Sequence, residues 1–119
     1  MVRKKKIPLK IYDTHITVVQ TSDIRSFYNS IQRKNPNLGD PMPESEKVLA
    51  LAVWDEKDGG DYYLIFDEHV DIGIIAHECF HMTLALAEFY QMPLKSDSEP
   101  PAYLMEYLVK NVARYLIDE

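Results

Sequence analysis

Three side chains able to carry chemistry together lie within five residues: His77, Glu78 and His81, in the run His77-Glu78-Cys79-Phe80-His81. Residues four apart share one face of an α-helix, so the two imidazoles point the same way. From that face they can converge on one metal ion at roughly 2.0–2.1 Å. Glu78 stands beside them, placed to reach a water on the metal instead of the metal itself. Zinc lowers the pKa of such a water to around 7. Glu78 can then take its proton as general base and return a proton to a leaving amine. This is the mechanical content of H-E-x-x-H, which on a helix signals a zinc peptidase. The bare pattern fixes only three positions and recurs by accident. The plain alternative is a pair of core histidines satisfied by carbonyls and by Glu78.

The element that must position these groups runs from Ile72 to about Gln91, with Asp71 as N-cap and Pro93 helping to end it. From Ile72 to Ala87 it is apolar almost all round, the pattern of a helix buried at the centre of its domain. Burying His77, Glu78 and His81 there without partners would cost roughly 2–7 kcal/mol for each unpaired polar group. A metal would compensate them. Cys79 is two residues from each histidine and faces elsewhere, so it reads as a small buried apolar residue and not a ligand. As the single cysteine of the chain, it excludes an internal disulfide. His15, in an expected strand, and His69, just before the helix, lack ligand spacing to the motif.

A catalytic zinc keeps three protein ligands and one open position. The third is expected from a last helix, Glu99 to Leu116, whose apolar stripe is Leu104, Leu108, Val112 and Leu116, widened by Met105 and Val109. Glu99 and Glu106 are the candidates. They share a face but stand about 10 Å apart along the axis, so both cannot bind one ion. Geometry leaves the choice open: the connection after Gln91 can return Glu99 to the level of His81, or the chain can turn at once and bring Glu106 level instead. Glu88 lies too far along its own helix and reads as a solvated or structural carboxylate.

His77-Glu78-Cys79-Phe80-His81 followed by Glu99-Pro100-Pro101-Ala102-Tyr103-Leu104 resembles small phage-encoded zincin-like metallopeptidases. In these an H-E-C-x-H helix precedes a second helix opening like E-A-x-A-Y-L. The broader relatives are the gluzincins, whose third ligand is a downstream glutamate, and the matching position is Glu99. Pro100 and Pro101 depart from that pattern, although proline is tolerated in a first helical turn. The resemblance covers roughly the C-terminal half of the chain. It implies a minimal zincin fold, Zn2+ as cofactor, peptide hydrolysis, and a host-cytoplasmic setting. It also implies an extended peptide lying along an edge strand, for which Tyr62–Phe66 is the natural candidate. Tyr103, one turn after Glu99, has a hydroxyl that can stabilise an oxyanion if it faces the site; a packing tyrosine is the alternative.

The remaining elements frame this pair of helices. Ile7 to Gln20 alternates with a period of two and predicts a strand. A helix follows from about Ser22 to Lys34, then a proline-rich loop from Asn35 to Pro43. Lys47 to Trp54 and Tyr62 to Phe66, joined by the turn Asp58-Gly59-Gly60-Asp61, predict a hairpin. The class is α+β: a small antiparallel or mixed sheet with three helices against it. At 119 residues the chain is expected to form a single domain, residues 1–119, with Arg3-Lys4-Lys5-Lys6 in a solvated basic tail over residues 1–6. A net charge of -6 disfavours phosphate backbones as partners. No signal-peptide pattern opens the chain, and the apolar stretch Ile72–Ala87 is interrupted by His77, Glu78 and His81, so a cytoplasmic protein without a membrane span is expected. Two further readings compete with the peptidase: a non-catalytic zinc-holding zincin module for protein–protein interaction, and a metal-free structural protein.

Overall fold

Alternation of apolar residues along two strands and a polar break between them set the first half of the sheet. A computed structural model of the chain describes residues 1–44, 47–57 and 61–117. Strand β1 (Val2–Leu9) pairs antiparallel with β2 (Thr14–Thr21), from Val2 opposite Thr21 to Leu9 opposite Thr14. The expected single strand from Ile7 to Gln20 is therefore two strands. A 3-10 turn over Lys10–Tyr12 and Asp13 at φ 52° reverse the chain between them. Aspartate tolerates that left-handed conformation better than most residues.

The basic segment is corrected with it. Residues 1–6 are not a tail, because Val2 to Lys6 are ladder residues of β1, the outer strand of the sheet. Charge masks the strand signal there, while the backbone hydrogen bonds to β2 do not depend on the side chains. Arg3 and Lys5 lie over the ring of Tyr115 at 5.0 and 5.6 Å, and Lys4 lies 5.8 Å from the ring centre of Phe27.

Helix α1 (Ile24–Lys34) is capped by Asp23, whose carboxylate accepts from the Ser26 amide at 3.0 Å. After the loop, β3 (Ala50–Trp54) and β4 (Tyr62–Phe66) form the expected antiparallel hairpin. Residues 58–60 of its turn lie outside the described residues. The sheet is mixed, in the order β1-β2-β4-β3, with β2 and β4 parallel. Tyr62–Phe66 is thus an inner strand and not the edge expected of it: β2 covers one side and β3 the other. The sheet edges are β1 and β3.

Helices α2 (Ile72–Phe89) and α3 (Glu99–Leu116) cover one face of the sheet. Ile75, Cys79, Met82 and Leu86 of α2, with Leu104, Leu108 and Val112 of α3, meet Ile7, Ile16, Val18, Leu64 and Phe66. Each such fully buried side chain contributes roughly 1.5–3 kcal/mol. Tyr107 ties α3 to the outer strand by donating to the Pro8 carbonyl at 2.6 Å. On the other face α1 packs Ile24 and Tyr28 against Val19, Val53 and Ile65. The result is an α+β globule with three helices, among the described residues, on a four-stranded open sheet.

The expectation of a helix buried on all sides fails for α2. It buries one stripe and exposes Ile72, Phe80 and Phe89 along with His77 and His81. A helix packed on the outer half of a small sheet, with only α3 beside it, has solvent on its remaining side. By length and apolarity α2 alone among the described helices has the make-up of a membrane-crossing helix. Its most apolar stripe is occupied by the core.

Candidate metal centre and edge groove

The N-terminal half of α2 is fixed by Asp71, whose carboxylate accepts from the Ile74 amide at 2.9 Å. A cap bond of this kind contributes about 1 kcal/mol and sets the rotation of the first turn. One turn on, Ile75 and Cys79 are locked into the core with no exposed surface. His77 and His81 must then face the other way, with Glu78 at the margin between the two faces. Thr83, itself buried, donates to the Cys79 carbonyl at 2.8 Å and so needs no external partner.

On that outward stripe His77 and His81 come together. Their Nε2 atoms are 3.3 Å apart, and the rings cross edge to face with centroids 4.8 Å apart. Two nitrogens bound tetrahedrally at roughly 2.0–2.1 Å from one ion lie about 3.3 Å from each other. The pair therefore fits a zinc ion without a change of rotamer, as it also fits a hydrogen bond between one protonated and one bare nitrogen. The histidines are exposed, so no burial penalty needs compensating: His77 is 68% accessible. Glu78 behaves differently, being only 12% accessible, with Oε2 3.9 Å from His77 Nε2. That distance suits a single shared water and is too long for a strong ion pair.

Cys79 is a buried thiol, as its position between the histidines implies. Burial pushes it up to about 12, and the charge of Glu78 adds to the effect. A thiol held neutral in this way is a poor ligand and a poor nucleophile.

The other expected site residues stay apart from the pair. Glu99, in the first turn of α3, and Glu106 are both exposed. Among the described residues no group of three or more His, Cys, Asp and Glu side chains is close enough to hold a metal ion. The donor set brought together is thus the two histidines, with Glu78 beside them. Tyr103 is 64% accessible and lines an apolar cleft with Pro8, Ile11, Tyr12 and Tyr107, a region that the two histidines do not line. His15 lies in β2 opposite Pro8, and His69 in the segment before Asp71.

What sequence reasoning missed is the neighbour of the pair, which is β3. Two clefts follow this edge strand. One, of about 480 Å3, lies between Val48, Leu49 and Ala50 and the helix residues His77 and Glu78. The second, of about 750 Å3, lies between Trp54, Asp55 and Glu56 and the helix residues His81, Leu84 and Glu88. The stripe Ile74, His77, Glu78, His81, Ala85 and Glu88 thus runs beside the free edge of the sheet. What moves Tyr62–Phe66 to the interior is its parallel pairing with β2, from Thr17 opposite Tyr63 to Gln20 opposite Phe66, which leaves β3 as the edge on that side. No protein-family model matches the chain, and comparison with curated proteins and with solved structures likewise gives no match.

Proposed function

We propose that this chain is a zinc-dependent peptidase on a minimal zincin scaffold, with His77 and His81 as metal ligands and Glu78 as general base. The observation that carries the reading is the 3.3 Å separation of the two Nε2 atoms on an exposed helical face, with a half-buried carboxylate at their side. Bound zinc supplies Lewis acidity toward a peptide carbonyl and toward water. Glu78 then accepts the water's proton and delivers a proton to the departing amine.

Glu99 is the proposed third ligand. Its carboxylate has no hydrogen bond or ion pair among the described residues, so nothing competes for it. The segment that must adjust to deliver it runs from Pro93 to Ser98, where the bonds are local, such as Lys95 N to Ser98 Oγ at 3.0 Å; Tyr90 and Met92 before it are fixed by Tyr12, through ring stacking at 4.3 Å and a hydroxyl–sulfur contact at 3.6 Å. Glu106 is the alternative. The edge that receives substrate is reassigned to β3: among the described residues Ala50–Trp54 pairs only with β4 and offers its outer amides and carbonyls to an extended peptide. The setting remains the cytoplasm of a phage host.

A second reading, a zinc-holding module that binds a protein without cleaving it, is favoured by the separation of Glu99 and Glu106 from the histidines. Elemental analysis decides the metal: about one zinc per chain, lost in His77→Ala and in Glu99→Ala, is the expected result. Cleavage of a mixed peptide library that drops by roughly 10²–10⁴-fold in Glu78→Gln, with zinc retained, supports catalysis. Zinc retained in both proteins with no cleavage by either selects the module. A folded wild type that takes up no zinc overturns both.

A further inference from the structure

The two histidines of α2 make up half of a metal shell. A tetrahedral zinc ion takes four ligands, and His77 and His81 supply two of them with their Nε2 atoms already 3.3 Å apart. Among the described residues no group of three or more His, Cys, Asp and Glu side chains is close enough to hold the ion. Completing the shell within one chain needs a movement of the segment before α3 to carry Glu99 in. A second copy of the chain needs no such movement. It brings an identical pair of imidazoles, both exposed on the outward face of α2.

Two further features fit a second copy. Phe80 lies on the same face, between the histidines in sequence, with its ring 6.5 Å from that of His81 and 49% accessible. The peptidase reading gives this ring no task, whereas the middle of a small protein–protein interface is typically aromatic. Charge also matches. Four neutral imidazoles leave the two positive charges of zinc uncompensated. Glu78, with Oε2 3.9 Å from His77 Nε2, supplies one negative charge from each copy. The clefts that reach His77 and His81 contain no lysine or arginine to oppose the ion.

We propose that His77 and His81 of two copies of this chain share one zinc ion, and that the shared form is the resting state of the peptidase. The inference rests on the metal assignment above, and on the peptidase reading only for its consequence. Four imidazoles fill the coordination sphere, whereas hydrolysis needs an open position for water. The paired chain is therefore switched off. Dilution, or zinc in excess over the chain, splits the pair by mass action and leaves each copy an ion of its own, with Glu99 to complete that site.

The test titrates zinc chloride into metal-free, full-length wild type at high micromolar concentration and reads mass by sedimentation alongside bound metal. At half an equivalent of zinc the chain is expected to sediment as a pair carrying one ion per two chains. A large excess of zinc should return single chains with one ion each. His77→Ala and His81→Ala should stay single at every zinc level, while His15→Ala and His69→Ala should pair as wild type does. Glu99→Ala should still pair at half an equivalent, because the shared shell does not use Glu99. Phe80→Lys alters an exposed side chain and should pair at least about tenfold more weakly. Wild type that binds one zinc per chain and stays single throughout overturns the sharing and leaves the peptidase standing. Pairing that survives in both His77→Ala and His81→Ala, or that Phe80→Lys leaves unchanged, also overturns it. Pairing at half an equivalent with no peptide cleavage in excess zinc keeps the shared ion and removes the peptidase.

Discussion

Cys79 lies between the two histidines in sequence and on the opposite side of α2 in space. Its environment makes a prediction independent of any metal. The thiol loses its proton near 9.0 in an ordinary setting and at about 12 in the fold, first because it is buried and second because Glu78 is near. Between those values the unfolded chain holds fewer protons than the native one, so native stability is lost as pH rises. Below pH 9.0 the contribution is constant. The slope is about 1.4 kcal/mol per pH unit for one group. Burial also raises Tyr28, Tyr63 and Tyr90, which act in the same direction. Urea midpoints measured on either side of the thiol's ordinary value should therefore fall more steeply with pH for wild type than for Cys79→Ala. Equal slopes would mean that the thiol is not held neutral. Native protein at mildly alkaline pH should also resist thiol reagents until it is unfolded.

The end of α2 illustrates what a single element adds to its residues. Pro93 was expected to help stop the helix, but the stop comes earlier. Met92 N donates to the Ala87 carbonyl at 2.7 Å and Gln91 N to that of Glu88 at 3.3 Å, a Schellman ending. It places Gln91 at φ 57°, where glycine is the usual residue. Gln91→Gly should stabilise the fold by about 0.5–1 kcal/mol in a urea titration, since relief of the left-handed strain exceeds the added chain entropy. A loss of stability would show that the glutamine side chain contributes there. Helices were legible in the sequence because caps and periodicity are local: Asp71, the Glu99–Leu116 limits and the stripe Leu104, Leu108, Val112 all lie where their chemistry puts them. The strands were half legible. Val2–Lys6 reads as charge, since its partner β2 is what makes it a strand. Whether β4 is an edge depends on β2 pairing with it across more than forty residues, which no local pattern encodes. The same limit hid the cleft at Trp54 and Glu56, whereas His77, Glu78 and His81 were visible because one helical turn brings them together.

At the scale of the whole molecule, charge is sorted between the two edges of the sheet. Arg3, Lys4, Lys5 and Lys6 line β1, while Asp55 and Glu56 follow the end of β3. Deleting residues 1–6 tests whether the basic segment is structural. It removes most of the β1–β2 ladder, and the expected loss is on the order of 2–5 kcal/mol, read as a lower thermal midpoint. An unchanged midpoint would restore a tail. The two edges also differ in how they treat another copy of the chain. Lysines on β1 repel a second sheet, as exposed edges in folded proteins commonly do. Ala50-Leu51-Ala52-Val53-Trp54 carries no charge and no proline to turn a copy away. Two molecules can therefore zip together edge to edge through β3, and the lysine-guarded edges left outside block a third. Unoccupied protein at high concentration should stall at pairs instead of growing into fibres, and a ligand seated on β3 should release the singles.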